Sequence, residues 1–139
     1  MIRARGGFPA AILGAVFAVG CGSSDSGPDT PTGPTFTQVT QGVITNVACG
    51  GPFCHGAGSA TFALGSTLYS ELVGQKATGT GCGMSGLIRV VAGDPDHSLL
   101  YLKLNFKPPC GDGMPATGPL DASKVEMVRQ WIAAGAKND

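Results

Sequence analysis

The sequence predicts an all-α fold of short helices joined by long loops. Three observations carry this. Apolar residues recur at helical spacing in two places, Phe36, Val39, Val43 and Val47 near the start of the folded part and Val125, Val128, Trp131 and Ile132 near its end. Three positions have helix-start chemistry, at Thr35, Asp94 and Asp121. Between the helical stretches lie segments rich in Gly and Pro, which end helices rather than extend them.

Taken in order, residues 1–20 read as an export signal: Arg3 and Arg5, then a short run of apolar and small residues from Phe8 to Gly20. The run is too short to stay as a membrane-spanning helix. Ala18-Val19-Gly20 before Cys21 resembles the lipobox of bacterial lipoproteins, with Ala18 where Leu is preferred. That resemblance implies cleavage before Cys21 and lipidation of its thiol, and so a membrane partner through the lipid. Gly22 to Pro34 has no large apolar residue and reads as a flexible tether. The folded domain is then 35–139, long enough for one core and too short for two.

Thr35, with Gln38 three residues on, makes a capping-box pattern that opens a first helix over 35–47, against the poor helix propensity of its Thr, Val and Gly42. Thr67 to Val73 is a short second helix with Leu68 and Leu72 inward. Gly74 to Gly86 is a loop carrying Cys82 and Met84, and Leu87 to Val91 is extended. Asp94 caps a third helix with Pro95 at its first position, and Leu99, Leu100, Leu102 and Leu104 form its buried side. Lys107 to Pro119 is a Pro-rich loop around Cys110 and Met114. Asp121 caps the last helix, which runs to about Ala134 and ends at Gly135.

The chain has nine basic and nine acidic residues; without Arg3 and Arg5 the exported part holds seven against nine, about −2. The charges form no run, which argues against a nucleic-acid partner. Of five cysteines, Cys21 belongs to the lipid site, and the remaining four suit an oxidising compartment. Within Cys49-Gly50-Gly51-Pro52-Phe53-Cys54-His55, a His directly follows the second of two nearby cysteines. That arrangement attaches a haem: Cys49 and Cys54 form thioethers and His55 binds the iron. The spacing is two residues longer than the usual C-x-x-C-H, and Gly50-Gly51-Pro52 supplies the bulge this requires. The bland alternative is a Cys49–Cys54 disulfide beside a surface histidine.

Cys82 and Cys110 are not followed by His and lie in Gly-rich loops; they are read as a disulfide worth about 3 to 4 kcal/mol. Four cysteines allow three connectivities, and pairing either of these with Cys49 or Cys54 would remove the haem site. Zinc is disfavoured, because two histidines and four cysteines in an exported protein more often give bridges.

Residues 36 to 135 resemble a single-haem cytochrome c domain, and more closely the c-type cytochrome-like domains carried on bacterial lipoproteins. The resemblance rests on Cys49 to Gly56, on Val91-Ala92-Gly93-Asp94-Pro95-Asp96-His97-Ser98-Leu99-Leu100, on Cys110 to Pro115, and on Trp131-Ile132-Ala133-Ala134-Gly135-Ala136. It implies one covalent haem c, with His55 as proximal and Met114 as distal ligand. Met84, with no following Pro, and His97, in the first turn of a helix, are the competing sixth ligands; Met127 reads as core or rim. It also implies that the first and last helices cross with Gly42 at the contact and Trp131 opposite.

The function implied is a carrier of single electrons and not an enzyme, meeting redox proteins by transient docking. Two alternatives are a haem-free, disulfide-stapled structural or interaction lipoprotein, and a sensing haem protein whose distal site is open. Gly22 stands where inner-membrane retention in enteric bacteria uses Asp, so by analogy a periplasm-facing anchor in the outer membrane is slightly favoured.

Overall fold

A computed structural model describes residues 33–45, 48–51, 54–56 and 61–139. The export signal, Cys21 and most of the tether lie outside the described residues, as do Val47 and Pro52. The described residues form helices and isolated bridges, with no sheet among them.

Helix α1, Phe36–Val39, starts at the capping box read from the sequence: the Thr35 hydroxyl accepts from the Gln38 amide, and the Gln38 side chain accepts from the Thr35 amide. It continues over Thr40–Ile44 with π-type hydrogen bonding, the Thr45 amide reaching the Thr40 carbonyl. Threonine hydroxyls take up backbone carbonyls here, Thr40 donating to those of Phe36 and Thr37 and Thr45 to that of Thr40. Val39, Val43 and Ile44 are all buried and form the inward face of this helical stretch.

Helix α2, Leu68–Leu72, buries Leu68 and Leu72. The extended segment after it is held by bridges from Val90 to Val73 and from Ile88 to Lys76. The third helix is split. Asp94 caps a single 3₁₀ turn, Pro95–His97, and helix α3, Leu99–Leu104, begins only after Ser98. The break comes from Ser98 itself, which is fully buried: its hydroxyl accepts from the Val91 amide at 2.8 Å and donates to the Asp94 carbonyl at 2.7 Å. The resulting loop docks on the last helix through the Gly93 amide and the Ile132 carbonyl. Leu99 and Leu104 are buried, whereas Leu100 and Leu102 are half-buried.

Helix α4, Ala122–Ala133, starts after Asp121, whose side chain makes no capping hydrogen bond, and stops before Gly135 at φ 99°. It buries Val128, Trp131 and Ile132. Phe36 sits between Tyr69 and Trp131, with ring centroids 5.2 and 5.4 Å away. The expected crossing therefore has different partners: Gly42 faces Met127, and Trp131 meets Phe36. The indole N–H donates to the Lys137 carbonyl, and the Asp139 carboxylate accepts from the Phe36 amide, so the chain end is tied to α1.

Candidate functional site

Backbone hydrogen bonds link the described residues of the Cys49–Gly56 motif. The His55 amide donates to the Cys49 carbonyl at 2.8 Å, and the Gly51 carbonyl accepts from the amides of Cys54 and Gly56. These bonds hold the His55 backbone against Cys49. Gly56 makes this close approach possible: a Cβ there would stand 2.7 Å from the Gly50 carbonyl oxygen and 2.9 Å from that of Gly51. Cys49 and Cys54 are both free thiols, Cys49 half-buried and Cys54 exposed.

His55 is half-buried, with its ring stacked on Phe62 at 4.1 Å between centroids and 18° between planes. Its Nδ1 lies 3.3 Å from the Phe62 carbonyl oxygen. A carbonyl only accepts, so this contact favours the tautomer with the proton on Nδ1, in which the Nε2 lone pair is open. The Thr61 hydroxyl is 3.4 Å from the same nitrogen. Burial pulls the imidazole pKa down, the Phe62 hydrogen bond opposes this, and the charge of Arg89 adds to the lowering; the neutral form that ligation requires is favoured. Burial, with repulsion from Cys54 second, pushes the Cys49 thiol up, so it remains protonated at neutral pH.

Beside His55 opens a cavity of about 370 Å³. Val43 and Ile44 from the π turn, Leu64, Leu72, Leu99 and Leu104 give it apolar walls, and Cys49, His55 and Met114 also line it. Cys54 does not line it. The competing sulfur, Met84, is fully exposed and away from the cavity; His97 is exposed, outside the lining, and its Nδ1 lies 2.7 Å from the Asp94 carboxylate. Of the three proposed sixth ligands, Met114 lines this cavity with His55, and Met84 and His97 do not.

Met114 is placed from α3. Its amide donates to the Lys103 carbonyl at 2.9 Å, while the Lys103 ammonium donates to the carbonyls of Cys110 and Asp112. The same loop is fastened by a Cys82–Cys110 disulfide, as read from the sequence. Lys103, Phe62 and Arg89 are site residues that sequence reasoning missed. Arg89 has no neighbouring motif to mark it, yet its guanidinium lies 5.1 Å from the Phe62 ring centroid and donates to the carbonyls of Glu71 and Thr61 and to the Thr78 hydroxyl.

The donor types a covalent haem needs are partly gathered: the Cys49 thiol, the His55 imidazole and the Met114 thioether line one largely apolar cavity, while the second thiol, Cys54, stands outside its lining. Among the described residues no three His, Cys, Asp or Glu side chains gather to hold a bare metal ion. No protein-family model, curated protein or solved structure matches the chain.

Proposed function

We propose that the protein is an exported, lipid-anchored monohaem c-type cytochrome that carries single electrons between redox proteins, and is not an enzyme. The observation that carries this reading is that His55, Met114 and Cys49 line one largely apolar cavity, although 59 positions separate His55 from Met114 in the sequence. When bound, the haem supplies an iron that gains and loses one electron.

The chain's residues account for the rest. His55, neutral and fixed through Nδ1, offers Nε2 to the iron. Met114 offers its sulfur from the loop that Lys103 and the disulfide hold, and a thioether ligand raises the potential. Cys49 and Cys54 tie the cofactor to the chain, which matters in an exported protein that could otherwise lose it. If His55 and Met114 both held the iron, substrate chemistry there would be disfavoured and the exchange of electrons with a transiently docked partner would remain.

The second reading is a haem-free structural or interaction lipoprotein. It is favoured by the exposure of Cys54 and its absence from the cavity wall. Haem staining after denaturing electrophoresis of the periplasmically expressed protein, with intact mass, decides between them. A stained band heavier by one haem is expected. An unstained band at the mass of the peptide alone would establish the second reading and remove the first.

A further inference from the structure

His55 is gripped from three sides by residues that no attachment motif contains. Phe62 covers one face of the imidazole, and the Phe62 carbonyl takes its Nδ1. The Leu64 amide donates to the His55 carbonyl. Segment 61–64 therefore wraps the histidine, and Arg89 in turn holds that segment. Its Nη2 donates to the Thr61 carbonyl at 3.0 Å, and its guanidinium carbon lies 5.1 Å from the Phe62 ring centroid, within cation–π reach.

Arg89 is itself firmly based. Its amide donates to the Gln75 carbonyl and its carbonyl accepts from the Leu100 amide, while its side chain also reaches the Glu71 carbonyl and the Thr78 hydroxyl. A planar, permanently charged fork serves several acceptors in a fixed geometry while lying near an aromatic ring; a lysine ammonium, a compact point charge, lacks that fork.

We propose that Arg89 is the positioning residue of the axial imidazole, holding the Thr61–Phe62 backbone and the Phe62 ring so that His55 keeps its proton on Nδ1 and presents Nε2 as the metal-binding nitrogen. The purpose of this device rests on the haem reading above, but its test does not.

The test is nitrogen-15 NMR of the His55 ring in the full exported chain made without haem, at a pH where the ring is neutral. The wild-type ring is expected mainly as the Nδ1–H tautomer. Arg89→Met should move the Nδ1–H to Nε2–H ratio about fivefold toward Nε2–H, the factor that accompanies loss of one ordinary net hydrogen bond. Arg89→Lys should not restore it. Thr78→Val, at an exposed position, removes one anchor of the guanidinium and should give a smaller shift of the same sign; it carries the test if Arg89→Met does not fold. A wild-type ring mainly Nε2–H, or an unchanged ratio in the folded variants even with lowered melting temperatures, would overturn the assignment and leave Arg89 a purely structural residue. Failure of haem staining alone overturns the electron-transfer reading and leaves this assignment intact.

Discussion

Two residues illustrate how single side chains set the behaviour of the domain. Ser98 is fully buried and satisfies backbone groups of Val91 and Asp94 that the split helix leaves behind. Ser98→Ala strands the Val91 amide, which should cost about 1 to 3 kcal/mol in chemical denaturation and speed hydrogen exchange at Val91; an unchanged midpoint would show that water replaces the hydroxyl. His55 makes stability depend on pH. Its folded pKa lies below its ordinary value because burial disfavours the charged ring, so the unfolded chain takes up the proton first as pH falls. In the haem-free chain the stability contributed by neutral His55 is therefore fully present above about 6.5 and is lost as pH falls below that toward the folded value. Melting temperatures followed from pH 8 to pH 5 should drop more in wild type than in His55→Gln. Equal drops would assign the pH dependence to other groups.

At the scale of elements, the Met114 loop depends on two fastenings of different kinds. The disulfide closes a separation of 28 residues, and Cys82→Ala with Cys110→Ala should cost about 3 to 4 kcal/mol. Lys103 acts locally through its two bonds to loop carbonyls, and Lys103→Met should cost about 1 to 2 kcal/mol and raise hydrogen exchange through residues 110–114 while leaving α4 protected. Uniform loss of protection would show that the loop has no independent stability. The start of α1, the Asp94-Pro95 cap, the end of α4 and the Cys82–Cys110 pair were legible because each has a local chemical signature: a capping box, a proline at the first helical turn, a glycine stop, and cysteines without a following histidine. The π turn and the break at Ser98 were not, because both depend on hydroxyls choosing particular backbone partners once the chain is packed. Of the site, the motif residues His55 and Cys49 and the loop residue Met114 could be named in advance. Arg89, Phe62 and Lys103 reach it from segments whose local patterns give no sign of them.

For the molecule as a whole, the core is divided. One cluster joins α1, α2 and α4 around Val39, Leu72, Val90 and Trp131, and a smaller one gathers Ala77, Cys82 and Leu99 beside the disulfide. The cavity is lined by members of both, including Leu72 and Val43 from the first and Ala77, Cys82 and Leu99 from the second. The space of about 370 Å³ between the two clusters is lined largely by apolar side chains, and an apolar occupant would give both clusters further contacts. If haem is that occupant, its attachment stabilises the domain beyond what the thioethers alone contribute. Wild-type protein loaded with haem should then melt well above the Cys49→Ala, Cys54→Ala chain, and only the latter should take up an apolar fluorescent dye. Equal melting temperatures, with dye excluded from both, would mean that the cavity walls close without haem and that the two clusters already form one core.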